Sequence, residues 1–301
     1  MKSILLLLVL FITLTVTSQN QKDIARELIR KPKLERSHLK SLHTFRLDAK
    51  IPEGSGLVAW NGQLWTHNDS DSNSLFALDT ATGKIVQEYE LPHVKNRDWE
   101  DLSQDSDYFY LGAFGNNTEE RDTLRILRIE KISLLKQQPK IDAIKFGWPE
   151  TFTDGKRSKI NFNCEAMAVV DDSIYLFTKE QKEGRRTRVF SLPVKPGTYT
   201  AHYKSTLNTR ILVTGASYDA GSKKLVLCGY NLLLRPFLLV FPEVKGTDFF
   251  AGKVTQFRLR LPFHQIEGVS TFDGKRYYLI NEKWKFMGVD VGGELNVVGV
   301  E

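Results

Sequence analysis

The chain has 301 residues, 41% of them hydrophobic, and a net charge of +6 from 42 Lys and Arg against 36 Asp and Glu. That length and apolar content suffice for one large domain or two small ones, and the charge is too mild over this length to argue for nucleic-acid binding. Two cysteines, Cys164 and Cys228, are too few for a disulfide-dense scaffold, and both fall in apolar runs that predict buried free thiols.

Residues 1–18 read as a secretory signal peptide. Lys2 gives the positive start, Ile4 to Val16 the apolar core, and Val16, Thr17 and Ser18 the small-residue cleavage site. The run is too short to span a bilayer with ease and no second one follows, so the reading is a secreted or periplasmic protein without a membrane span after cleavage. Residues 19–40 are basic, with Lys22, Arg26, Arg30, Lys31, Lys33, Arg36 and Lys40. They predict a solvated helix over Lys22–Arg30, stopped by Pro32, and then a linker.

From residue 41 to 301 one pattern recurs. An oxygen-bearing residue opens a short apolar stretch, and a second strand core lies ten residues on. The copies start at Ser55, Glu100, Glu165, Ser217 and Glu267, with Trp65, Tyr110, Tyr175, Leu227 and Tyr277 in the second strand. Each copy continues into a third run, usually into a fourth, rich in Val, Ile, Leu, Phe and Tyr and broken by Gly, Asn, Asp and Pro. In the third copy the fourth run lies around YTAHYK; the last copy gives EGVSTF, RYYLINE and KFMGVDV, and its fourth strand can come from the tail ELNVVGV or from SLHTFRL at 41–47, which has no other partner. Repeats at roughly fifty-residue spacing are stacked units. If SLHTFRL completes the last one, the ring closes without open edges. The fold class predicted is all-β, a five-bladed β-propeller, with six blades as the alternative because the Glu100–Glu165 interval is long.

The innermost strand of each propeller blade lines the central tunnel. Ser55, Glu100, Glu165, Ser217 and Glu267 would therefore converge on its axis, where three carboxylates raise one another's pKa unless a cation neutralises them. Hard oxygens with no imidazole or thiolate at the repeat select calcium. The other reading is a set of polar strand ends wetting a water-filled channel. Antiparallel geometry gathers further residues at the same mouth: Asp69, Asn116, Asn117, Lys179, Glu180, Asn231, Glu282 and Lys283, with Arg121, Arg185 and Arg235 close behind. Of these, Asn116, Asn117, Arg121, Lys179, Arg235 and Lys283 are candidates for holding a phosphorylated ligand, and Asp69 for orienting an attacking water. No G-x-S-x-G elbow, P-loop or H-E-x-x-H run is present.

The succession Ser, Glu, Glu, Ser, Glu at blade starts, with FYLGAFGNN after the second copy and IYLFTKE after the third, resembles the five-bladed calcium-activated nucleotidases, or apyrases. That resemblance implies tunnel calcium at the five blade-start residues and hydrolysis of nucleoside di- and triphosphates. The run Asp98–Asp101 is similar to the DWED motif of bacterial secreted propellers. Three functions stay open: a binding module for a partner or glycan, a calcium-dependent phosphohydrolase acting on nucleotides or other phosphorylated small molecules, and an esterase- or lactonase-like enzyme using calcium as Lewis acid.

Overall fold

A two-residue period explains why the innermost strands read as unbroken apolar runs. In the computed structural model, which describes residues 29–118, 121, 123–149, 163–180, 186–242, 244, 246, 248–286 and 288–300, strand Cys164–Val170 sends Ala166, Ala168 and Val170 into one core and Met167 and Val169 into another. A strand buried on both faces has no polar side to present.

The described chain opens with β1 (Ile29–Arg30), β2 (Lys33–Leu39) and β3 (His43–Arg46). Blade 1 is β4 (Gly54–Trp60), β5 (Gln63–Asn68), β6 (Ser74–Leu78) and β7 (Ile85–Glu90). Blade 2 is β8 (Leu102–Gln104), β9 (Tyr108–Ala113), β10 (Leu124–Glu130) and β11 (Ile141–Gly147), with a short helix, Lys131–Leu135, between the last two. Next come β12 (Cys164–Val170), β13 (Ser173–Thr178), β14 (Arg186–Pro193), β15 (Gly197–Thr200) and β16 (His202–Asn208); all but β15 form blade 3. Blade 4 is β17 (Leu212–Asp219), β18 (Lys224–Tyr230), β19 (Pro236–Phe241) and β20 (Lys253–Leu259). Blade 5 holds β21 (Ile266–Thr271), β22 (Arg276–Asn281) and β25 (Glu294–Gly299), and the hairpin β23 (Trp284–Phe286) and β24 (Val289–Val291) projects from it.

The innermost strands β4, β8, β12, β17 and β21 pack each on the next, and β21 returns to β4. Five apolar cores fill the five gaps between neighbouring blades. Strand β3 pairs antiparallel with β25, Phe45 opposite Leu295, so SLHTFRL completes the last blade as expected. The architecture is a five-bladed β-propeller, and the Glu100–Glu165 interval carries one four-stranded blade among the described residues, not two. Cys164 and Cys228 are buried free thiols.

Two sequence expectations fail at the outer edges. The signal-like stretch lies outside the described residues, as does the predicted helix up to Leu28, but Ile29–Arg30 runs parallel to β16, and Lys33–Leu39, expected as linker, runs parallel to β20 over its whole length. Strand β2 is almost entirely exposed, so it is held by backbone hydrogen bonds and carries no apolar alternation to announce it. The run around YTAHYK splits at Ala201: β15 adds in parallel to β11 of blade 2, and β16 is the outer antiparallel strand of blade 3.

Candidate functional site

The innermost strands of blades 1, 3, 4 and 5 each begin with a break in the ladder, and in blades 3 and 5 the skipped residue lines the tunnel cavity. The β12–β13 ladder skips Glu165 between Cys164 and Ala166, and the β21–β22 ladder skips Glu267 between Ile266 and Gly268. A bulged residue leaves the pleat and is re-aimed. In blade 2 the equivalent break falls just before β8, where the Glu100 N–H donates to the Gly112 carbonyl and the Gly112 N–H to that of Asp101. In blade 1 the shift follows Ser55.

Blade 4 corrects one of the five assignments. Its skipped residue is Thr214, between Val213 and Gly215. Ser217 pairs with Val226 as Ala168 pairs with Tyr175, so Ser217 lies three residues past the equivalent position and outside the tunnel lining. A longer hairpin accounts for part of this offset. Residues 220–223 connect β17 and β18, where residues 171–172 suffice in blade 3. The hydroxyls at these positions also tie each blade to the next, Ser55 Oγ donating to the Glu100 carbonyl and Thr214 Oγ1 to the Ile266 carbonyl.

The tunnel mouth is a cavity of about 240 Å3 lined by Ser55, Asp69, Glu100, Asn117, Glu165 and Lys179, together with Tyr230, Gln265, Glu267 and Glu282. It holds five carboxylates against one ammonium. Lys179 Nζ bonds Glu165 Oε2 and lies 5.4 Å from the centre of the Tyr230 ring. Asn163 Nδ2 donates to Glu165 Oε1 at 2.6 Å and to Asn117 Oδ1 at 2.7 Å. Gln265 donates to Glu282. Among the described residues no three His, Cys, Asp or Glu side chains are already disposed around one metal position.

Burial and crowding set the protonation of this cluster. Burial, then the nearby carboxylates of Asp98, Glu53 and Glu282, pushes Asp69 up to about 8. Asp69 Oδ1 is buried with no hydrogen-bond partner. Burial followed by Glu165, Asp69 and Asp98 holds Glu100 well above the carboxylate range, and burial with Glu165, Glu282 and Asp69 does the same to Glu267 against the opposing pull of Lys179. Lys179 itself is held well above its usual value: burial opposes this, and the carboxylates of Glu165 and Glu267 prevail.

The other predicted ligand contacts are not gathered here. The Arg121 guanidinium turns back onto the carbonyls of Arg97, Gly115 and Ala113. Asn116 is buried and closes that loop, donating to the Arg121 carbonyl and accepting from its N–H. Arg235 lines a separate apolar cleft, and Lys283 is exposed, its N–H bonded to the Pro52 carbonyl. Glu180 pairs with Arg188, and Arg185 lies outside the described residues. Sequence reasoning missed Gln265, two residues before Glu267, and Tyr230, the last residue of β18, neither of which carries a repeat signal.

The DWED run proves to be a joint between blades. Trp99 is fully buried, and Asp98 adopts a positive φ of 73°. Gly115 leaves room for Asp98 and Glu100, which a Cβ there would overlap. Asp101 points away from the cavity and accepts the N–H groups of Leu102 at 2.8 Å and of Met167, across in blade 3, at 2.7 Å.

No protein-family model matches this sequence, and no curated protein matches it. Among solved structures, the crystal structure of the Myxococcus xanthus glutaminyl cyclase has a TM-score of 0.54 at 9% identity, covering 89% of this chain and 97% of that one. A streptogramin B lyase structure has a TM-score of 0.41 at 13% identity, covering 85% and 71%. At such identities the cyclase likeness speaks for the fold alone, and the nucleotidase resemblance of the blade-start motifs gains nothing from either structure.

Proposed function

We propose that the tunnel mouth is a cation-binding site and that this chain is an exported binding module built around it, with calcium as the occupant. The observation that carries this reading is the imbalance of five carboxylates against the single ammonium of Lys179, itself engaged by Glu165. Carboxylates withdrawn from water must be neutralised, either by protons or by a cation. The donors are hard oxygens, and Asp69 Oδ1 is a buried acceptor without a partner. Because the carboxylates do not converge on one point, calcium binding involves their rotation toward it. The test is a titration with calcium chloride, magnesium chloride and chelator, followed by melting temperature. Saturable stabilisation by calcium supports the site, and indifference to both ions removes it.

The phosphohydrolase alternative needs that metal more than the binding reading does. Without a metal the mouth repels phosphate, and the arginines expected to hold phosphate are turned elsewhere. Asp69, held up to about 8, is protonated at neutral pH and cannot orient water as a base until a cation draws its proton off.

A second reading, an enzyme acting on an amine-bearing substrate, is favoured by the same residue. A carboxyl that titrates near neutrality inside an anionic pocket can exchange a proton with a bound ammonium. The fold shared with a glutaminyl cyclase agrees with this reading and does not carry it. Ammonia release from a glutaminyl peptide is the assay, and a rate no higher than the blank would discard it.

A further inference from the structure

A second cavity, of about 810 Å3, opens between blades 4 and 5, and its chemistry is the reverse of the tunnel's. Its apolar floor and walls include Leu232, Leu233, Leu261, Phe263 and Trp284, the last two stacked with ring centres 6.4 Å apart. Leu232, Leu233 and Phe263 are 66%, 61% and 44% exposed. Its charged members are Arg235, Arg258 and Arg260, with His38 at one end, and no Asp or Glu lines it. All three arginines are exposed, and none makes an ion pair among the described residues.

The walls are pre-set. Asn231 Oδ1 accepts the N–H groups of Leu233 at 3.0 Å and Arg235 at 3.1 Å, while the Asn231 N–H donates to the Arg235 carbonyl, fixing the loop that holds the two leucines outward. Leu234 and Phe263 both have positive φ, 52° and 64°. Bulky residues held there store backbone strain, which proteins keep where a surface has a role. A loop backbone already fixed by its own hydrogen bonds costs little further backbone entropy when covered.

We propose that this cleft docks a peptide segment of a partner protein in which leucine- or phenylalanine-like side chains are interspersed with Asp or Glu. The volume lies within the ~300–1,000 Å3 range of ligand sites, and its concavity fits inserted side chains better than a lipid surface. Arg235 stands on the wall from the β18–β19 loop, and Arg258 and Arg260 flank Leu259 at the end of β20. Cations on separate walls call for anions at more than one place along the ligand, which a chain with several carboxylates supplies and a single head group does not.

The proposal is independent of the tunnel cation. The test is fluorescence anisotropy with a blocked, labelled ten-residue peptide containing two leucines, one phenylalanine and three glutamates, beside the same peptide with lysine for glutamate. The expected result is saturable binding of the acidic peptide, weakened about tenfold or more by Arg258→Glu with Arg260→Glu and again by Leu233→Asp, and weakened by salt. These positions are exposed, so the variants should melt with wild type, and wild type should bind the peptide equally in chelator and in millimolar calcium. Absence of binding, equal binding of the lysine peptide, or equal binding by the charge-reversed variant overturns the proposal. So does cosedimentation with anionic phospholipid vesicles in place of peptide binding, which would make the cleft a membrane contact.

Discussion

Lys179 Nζ rests on Glu165 Oε2 inside the ring of carboxylates, so the cation nearest the axis is the protein's own. Both side chains are largely buried, 11% and 5% exposed. The sequence suggests Lys179 as a ligand contact on an open loop, and it is instead part of the charge balance that lets the ring exist. Breaking one partner of such a pair strands the other's charge and costs about 3–5 kcal/mol. Lys179→Met should therefore lower the melting temperature by roughly 10 °C at neutral pH. The double variant with Glu165→Gln should recover part of that loss, which scanning calorimetry will show.

Acid titration gives a second prediction. Asp69 has its pKa raised to about 8 in the fold, so the folded protein binds a proton there that the unfolded chain releases near its ordinary value of 3.8. A raised carboxyl contributes stability below the unfolded value and loses it as pH rises through the folded one. His67, fully buried and pushed down to about 4, acts in the opposite sense, but only below its ordinary 6.5. Between pH 6.5 and 8.5 the Asp69 contribution should fall by about 2 kcal/mol. The raised Glu100 and Glu267 act in the same sense and Lys131, lowered to about 8, in the opposite one, so the Asp69 share is the difference between wild type and the Asp69→Asn variant. Asp69→Asn should flatten that slope in urea unfolding measured across the window.

The joint at Asp101 should behave differently from the ring. Its carboxylate accepts backbone N–H groups of two blades and does not line the cavity. Asp101→Ala leaves those buried donors unpaired, at about 1–3 kcal/mol each. We expect a lower urea midpoint with the calcium response of the melting temperature intact.

Thr214 and Ser217 test the corrected repeat. Thr214→Val removes the bond to the Ile266 carbonyl at a fully buried position and should cost about 1–2 kcal/mol. Ser217→Ala, at a half-buried position with no equivalent role, should stay within about 0.5 kcal/mol of wild type. Chemical denaturation of the two variants side by side separates them.

What the sequence discloses follows what each residue has to satisfy. Strands buried on both faces, such as Cys164–Val170 and Ser173–Thr178, must be apolar throughout and are readable, and so is the closing strand at His43–Arg46. Strand β2 answers only to backbone pairing, so any solvated sequence fits it, and it reads as linker. The carboxylates at Glu100, Glu165 and Glu267 stand out because a charged residue at the head of an apolar run is costly without purpose. Counting residues misplaces Ser217 in part because it assumes equal hairpins, and blade 4 has a longer one. Where Arg121 points depends on loop carbonyls that no pattern records.

The most direct measurement of the cation site is the melting temperature of wild type and Glu267→Gln at pH 7.5, in chelator and in millimolar calcium. Calcium that binds the folded state alone at a hundred times its dissociation constant adds about 2.7 kcal/mol, or roughly 5–10 °C here. We predict that rise for wild type and a clearly smaller one for Glu267→Gln, which removes one of the five carboxylates lining the tunnel mouth. Superimposable curves for wild type in chelator and in calcium would contradict the account.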